Sequence, residues 1–216
     1  MPTVLITGAN RGLGLEFAHH YAADGWDVVA TAREVSPELE RLSVRVERLD
    51  MADLEAVSTF GEQLNALDLL IANAGTYGPK DAENADDARA WLDTLTVNTI
   101  APYLLAKSVQ PLVETSGGKL IAISTRMGSI EDNSSGGFLA YRSSKAALNI
   151  AWRNLALDTK VTAAVLHPGW VKTRMGGGGA PLEPAASVAG MRAVIDRLGP
   201  KDSGGFFGYD GGRIPW

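Results

Sequence analysis

Cysteine is absent from all 216 residues. That excludes a disulfide framework, a thiolate nucleophile and a cysteine-ligated zinc site together. Histidine is nearly as scarce. His19 and His20 are neighbours on a predicted helix and point apart, His167 stands alone, and with no acid cluster joining them no metal site is expected. No stretch approaches the roughly 20 consecutive apolar residues of a membrane helix. Met1 leads directly into Thr3-Val4-Leu5-Ile6-Thr7, with neither a basic leader nor a long apolar run behind it. The expectation is a soluble cytoplasmic protein with no membrane partner. A basic excess is also missing: the formal charge is −5 and the basic residues are scattered, which argues against a nucleic-acid partner.

What the chain does contain is ordinary globular material, 45% hydrophobic and 21% charged, so disorder describes it poorly. Its length fits one domain over 1–216 with a sizeable core. Short apolar runs alternate with helical patterns throughout. Strands are expected at Val4–Thr7, Asp27–Thr31, Val44–Leu49, Leu67–Ala72, Lys119–Ser124 and Val161–His167. Helices are expected at Leu13–Ala23, after the Ser36-Pro37-Glu38 start signal, at Asp53–Leu64 behind an Asp53 cap, at Leu139–Asp158 and from Pro184 to Leu198. A further helical stretch from Trp91 to Glu114 is expected to break or bend near Pro102 and Pro111. Fully apolar strands alternating with helices indicate an α/β fold, a doubly wound parallel sheet covered on both faces. Thr125–Phe138 and the glycine run in Met175–Pro184 read as loops beside the carboxyl end of that sheet, the second a candidate mobile cover.

The first strand runs into Thr7-Gly8-Ala9-Asn10-Arg11-Gly12-Leu13-Gly14, immediately before a helix. Glycines there permit a tight turn and a close backbone approach to a pyrophosphate at the helix N-terminus, so Gly8, Asn10, Arg11, Gly12, Leu13 and Gly14 form a candidate nucleotide turn. Tyr141 and Lys145 lie four apart on one helix face. An ammonium beside a phenol favours the phenolate, which would let the tyrosine exchange a proton near neutral pH.

The TGxxxGxG spacing, Asn73-Ala74-Gly75, Asn98, Tyr141-Arg142-Ser143-Ser144-Lys145 and His167-Pro168-Gly169-Trp170-Val171-Lys172-Thr173 occur in the order and at the element boundaries of the short-chain dehydrogenase/reductase family, which the chain resembles over almost its whole length. The short length, the Gly136-Gly137…Tyr141 approach and the tail from Gly208 to Trp216 are similar to the C-factor/sniffer-like carbonyl reductase branch. The resemblance implies Tyr141 as acid/base, Lys145 as its partner and nicotinamide-ribose ligand, and Asn98 as holder of a water near the lysine. It makes Asp50, with Met51 beside it, the adenine-contacting element, places Asn73, Ala74 and Gly75 against the adenosine ribose, and sets Pro168, Gly169, Val171 and Thr173 at the nicotinamide. Where the family usually has Ser-Ser-x-x-Gly, this chain has Ser124-Thr125-Arg126-Met127-Gly128. Thr125 therefore takes the catalytic hydroxyl position, with Ser124 the alternative if the alignment slips by one. Arg174, Trp170 and Met175 read as substrate-side residues, with a packed core side chain the favoured alternative for Trp170.

Cofactor choice follows from charge. The second strand ends Ala30-Thr31-Ala32-Arg33 with no acid to accept from ribose hydroxyls. Arg33 and Arg11 suit a 2′-phosphate, which favours NADP(H) and reduction of a small carbonyl, or oxidation of the matching alcohol. The alternative is a nucleotide-binding regulatory or signalling protein with little catalysis, an idea prompted by Thr125 and by developmental-signal proteins in the resembled branch. Stripes at Val97, Ala101, Leu104, Leu105, Ser108, Leu112 and at Leu148, Ala151, Trp152, Leu155 fall on the helices with which the family builds dimers, so the resemblance implies a homodimer or homotetramer.

Overall fold

The computed structural model describes residues 1–216. Seven strands, β1 (Thr3–Thr7), β2 (Asp27–Ala32), β3 (Arg45–Arg48), β4 (Leu69–Ala72), β5 (Lys119–Ile123), β6 (Thr162–His167) and β7 (Phe206–Gly208), form one sheet in the order β3-β2-β1-β4-β5-β6-β7, every pair parallel. This is a Rossmann-like α/β arrangement. The chain reverses its direction of winding between β1 and β4, and the crevice that such a reversal opens at the carboxyl ends of the strands is where ligands bind in these sheets.

Alternate strand residues face two apolar layers. Leu5, Val29, Leu70, Leu120 and Val165 meet α3 (Leu54–Thr59), α5 (Ala101–Ser116) and α6 (Leu139–Asp158) through Val57, Leu105, Val109, Leu148 and Trp152. Ile6, Ala30, Ile71, Ile121 and Leu166 meet α1 (Gly12–Ala23) and α7 (Pro184–Arg197) through Phe17, Tyr21, Val188 and Met191. Each such aliphatic or aromatic side chain, fully buried, contributes about 1.5–3 kcal/mol. Trp152 is wholly buried, and its indole N–H donates to the Leu120 carbonyl at 3.1 Å, so the ring fills the layer without an orphaned donor.

Start signals act as the sequence suggests. Ser36 Oγ accepts from Leu39 N at 3.2 Å at the head of α2 (Pro37–Glu40), and Asp53 Oδ1 accepts from Ala56 N at 3.1 Å at the head of α3. Two expectations are corrected. The stretch expected to open at Trp91 starts at Ala85 as α4 (Ala85–Leu95), because Asn84 Oδ1 accepts from both Asp86 N and Asp87 N. The helix does not break at Pro111, which sits on the exposed side of a continuous α5. Near Pro102 it does depart from α geometry, as a turn of π-helix over Thr96–Ile100 directly ahead of the proline.

Of the two stripes, Ala101, Leu105, Leu148, Trp152 and Leu155 are spent against the chain's own sheet. Met175–Pro184 is tied at its base, where Lys172 N donates to the Leu182 carbonyl at 2.8 Å and Val171 bridges Leu182. Gly177, Gly178 and Gly179 form a tip with open space around them. No helix is long and apolar enough to cross a membrane.

Candidate active site

The nucleotide turn is built on close approach. Gly8 (φ +67°) and Gly12 (φ +56°) adopt the left-handed region, and Gly14 is packed so tightly that a Cβ there would lie 2.3 Å from the Gly8 carbonyl oxygen and 2.6 Å from Asn73 Nδ2. Thr7 staples this turn to the end of β4. Its Oγ1 accepts from Asn73 N and Ala74 N, both at 3.0 Å, while Asn73 Nδ2 donates to the Thr7 carbonyl at 2.9 Å. Ser36 Oγ donates to the Asn10 carbonyl at 2.7 Å, drawing the turn after β2 against the glycine turn. Arg11 and Arg33 are on these two adjoining turns, exposed, and in no ion pair; Glu34, next in the chain, is exposed and also free of one. Asp50 is exposed and accepts from Ala52 N at 2.9 Å, opening the turn toward α3. Met51 is a core residue, so its side chain is outside the cleft.

Two lobes make up the cleft at the carboxyl ends of the strands. The larger share of the expected residues surrounds a cavity of about 460 Å³: Gly8, Asn10, Arg11, Gly12 and Leu13 on one wall, Asn73, Ala74 and Gly75 on the next, then Tyr141, Lys145, Pro168 and Thr173. A neighbouring cavity of about 510 Å³ takes Thr125, Gly169 and Val171, together with Met127, Trp170 and Met175. Tyr141 borders both, with Leu13, Tyr77, Ser124, Pro168, Thr173 and Met175.

Helix α6 starts at Leu139 behind Phe138, which is left-handed (φ 52°), and carries Tyr141 and Lys145 inward. Lys145 Nζ donates to the Ile123 carbonyl at 2.8 Å, and burial lowers its pKa to about 8. Tyr141 moves the other way: burial first, then the neighbouring Tyr77, pushes its phenol above the usual range, with no opposing pull from Lys145. The groups of the chain itself therefore favour the protonated phenol. In a desolvated pocket the neutral phenol is the cheaper state.

Ser124 and Thr125 part company at the end of β5. Ser124 Oγ donates to Asn149 Oδ1 at 2.7 Å, inside the protein, whereas Thr125 Oγ1 accepts from Met127 N at 3.2 Å and keeps its own proton for the second lobe. Asn98, in the π-turn, is fully buried and does not line either cavity. Its Oδ1 accepts from Thr76 N at 2.8 Å, and its Nδ2 donates to the Thr76 carbonyl at 2.7 Å and to Ser144 Oγ at 2.9 Å, bracing the Gly75–Tyr77 wall against α6. A Cβ on Gly75 would lie 3.2 Å from Asn98 Oδ1 and 3.6 Å from Lys145 Nζ, so asparagine, glycine and lysine share one corner.

A family model described as short chain dehydrogenase matches residues 2–180. The chain belongs to this family. Among curated short-chain dehydrogenase relatives, C-signal of Myxococcus xanthus is 42% identical over 158 residues, 69% of this chain and 93% of that protein. Among solved structures, the carbonyl reductase Sniffer of D. melanogaster superposes with a TM-score of 0.92 at 34% identity, covering all of both chains. An NADPH-bound carbonyl reductase from chicken fatty liver gives 0.88 at 33% identity, over 100% of this chain and 99% of that one.

Within this short-chain dehydrogenase, three features add to what the sequence offers. Tyr77 meets Tyr141 edge-on at 4.6 Å between ring centroids and borders both lobes. Trp170 is 60% exposed, which overturns its core reading in favour of the other: its N–H is held by the Gly176 carbonyl at 2.8 Å and the indole stands at the rim of the second lobe. On α1, Glu16 brings a carboxylate to within 3.1 Å of His20, correcting the expectation that no acid joins the paired histidines; this half-buried i,i+4 contact is remote from the cleft.

His167, at the end of β6, borders the second lobe with Nδ1 unpartnered, and burial followed by the Arg126 charge lowers its pKa to about 4, against a smaller opposing pull from Asp210. Protonation is therefore easier in the unfolded chain. Stability is fully present above the ordinary histidine pKa of about 6.5 and is lost as pH falls toward 4, by up to about 3 kcal/mol. Melting curves between pH 7 and pH 4 are expected to show that loss, and His167→Asn to flatten it; an unaltered slope in the variant would refute the assignment.

Proposed function

We propose that this short-chain dehydrogenase is an NADPH-dependent reductase of small carbonyl compounds, with Tyr141 as the proton donor. The observation that carries the reading is the position of Tyr141 at the junction of the two lobes, with its phenol kept protonated by burial and Tyr77. A phenol that holds its proton is suited to giving one to a developing alkoxide, which is the need of the reductive direction.

The first lobe suits a dinucleotide. A side chain at Gly14 would fill the space that lets Gly8 and Asn73 pack together, and the left-handed glycines bring bare backbone to the mouth of α1, where a pyrophosphate gains from the helix N-terminus. Arg11 and Arg33, lacking carboxylate partners, would hold a 2′-phosphate, and the chicken reductase binds NADPH. When bound, the cofactor supplies the hydride that adds to the carbonyl carbon. Thr125 and Tyr141 hydrogen-bond the carbonyl oxygen, and Tyr141 transfers its proton to it. Lys145, anchored on the Ile123 carbonyl, orients the ribose and offers a cation beside the tyrosinate that forms. Asn98 keeps the Thr76 segment and α6 in register around that pair.

Titration with NADPH and NADH, followed by nicotinamide fluorescence, tests the cofactor. Loss of guanidinium–phosphate hydrogen bonds in Arg33→Ala is expected to weaken NADPH by roughly tenfold to a hundredfold and leave NADH unchanged. Tighter NADH binding by the unaltered protein would overturn the cofactor and direction. Binding without consumption of NADPH across a broad panel of aldehydes and ketones would instead favour a nucleotide-binding regulator, a reading that the intact Tyr141–Lys145 pair opposes.

A further inference from the structure

We propose that Trp216 is a positioning residue for the carbonyl substrate, acting through a latch on the loop that forms the substrate lobe; the inference rests on the reductase reading of that lobe. The loop leaves β5 at Thr125 and reaches α6 at Leu139, and it supplies Thr125, Arg126, Met127 and Asp132 to the second lobe. Its first part is held by α6: Asn149 Nδ2 donates to the Gly128 carbonyl at 3.1 Å and Arg142 Nη1 to the Met127 carbonyl at 3.4 Å. Beyond Gly128 the support comes from the far end of the chain. The Trp216 carbonyl oxygen accepts from Ile130 N and Glu131 N, both at 3.0 Å, and from Ser129 Oγ at 3.1 Å. Ser129 Oγ in turn accepts from Asp132 N at 3.1 Å.

Three donors converging on one oxygen fix a turn that has no secondary structure of its own. The acceptor is held in its own right. After β7 the chain doubles back, with Gly208 N donating to the Gly212 carbonyl at 2.8 Å and Ile214 N to the Phe206 carbonyl at 2.9 Å. The Trp216 ring then stacks on the buried Phe206 with centroids 5.5 Å apart. The latch therefore runs from a core strand, through one indole, to Ser129–Asp132, and from there to Arg126, 3.8 Å from the Asp132 carboxylate. It touches none of the glycine turn, so the substrate lobe is set from the tail while the nucleotide lobe is set by the Thr7 staple.

Hydrogen–deuterium exchange and steady-state kinetics on the full chain test this, with 4-nitrobenzaldehyde as the carbonyl probe. Trp216→Ala and Ser129→Ala are each expected to speed exchange at the Ile130 and Glu131 amides. Each is expected to raise KM for the probe about fivefold to tenfold, with NADPH affinity within about twofold of the parent. Trp216→Phe, which keeps the stack on Phe206, is expected to restore both. Unchanged exchange in Trp216→Ala would overturn the latch. So would faster exchange with unchanged KM, or NADPH affinity falling in step with KM. Exchange is read without substrate, so failure of the unaltered protein to reduce the probe would count against the reductase reading and leave the latch measurement standing.

Discussion

Tyr141→Phe is expected to cut kcat for carbonyl reduction by about a thousandfold, within the range for loss of one general acid, while NADPH affinity stays within about twofold of the parent. The substitution deletes a single hydroxyl at the junction of the two lobes and keeps the ring that packs against Tyr77. Lys145 remains bonded to the Ile123 carbonyl, and the Asn98 brace does not involve the phenol. Binding and chemistry should therefore separate cleanly. Paired measurements of nucleotide fluorescence and single-turnover reduction would show it; a kcat within tenfold of the parent would remove Tyr141 from the chemistry.

Gly14→Ala should produce the second large effect, on stability as well as on binding. The new methyl would sit 2.3 Å from the Gly8 carbonyl oxygen and 2.6 Å from Asn73 Nδ2, both parts of the stapled crossing between β1 and β4. Relief requires α1 to move off the sheet or the staple to open, at a cost of about 3 kcal/mol. For a chain of this length that lowers Tm by about 10 °C, and nucleotide affinity should fall more than tenfold. Gly25→Ala is the control: its φ is +77° but nothing lies within 4 Å of the added carbon, so only the backbone preference is lost, about 1 kcal/mol. Equal melting temperatures for the two variants would show that close packing at Gly14 is not what holds the turn.

The sheet was the most legible part of the molecule. Strands such as Thr3–Thr7 and Leu69–Ala72 are buried on both faces and so read as unbroken apolar runs, and α6 occupies Leu139–Asp158 as its pattern implied. β7 was not legible, because three residues at an edge carry no period. The form of the irregularity near Pro102, a π-turn at Thr96–Ile100, escaped for a similar reason: one extra residue in a helix leaves no mark in composition, whereas Pro111 invites a break that its solvated face makes unnecessary. Residue types pointed to a common cleft for Gly8, Asn73, Tyr141 and Lys145, and the fold brings these four together. Direction was beyond reach. Whether Ser124 or Thr125 turns its hydroxyl to the cleft depends on Asn149, 25 positions away, and Trp170 is exposed with its indole held by the Gly176 carbonyl. Tyr77 and Trp216 gain their roles wholly from contacts across the fold.

Strand order also has a consequence for the protein's birth. β1 leaves the ribosome well before β4 and is buried along its entire length in the finished sheet, yet one of its two edges is satisfied only by β4. Thr3 waits for Asp68, 65 positions downstream. Throughout that interval a nascent chain bearing β1 to β3 offers an apolar ribbon with open hydrogen-bonding groups, the kind of edge that recruits other chains. Translational pausing before residue 68 would lengthen this exposure and favour aggregation, and once β4 pairs with β1 the open edge passes to β4 until β5 arrives.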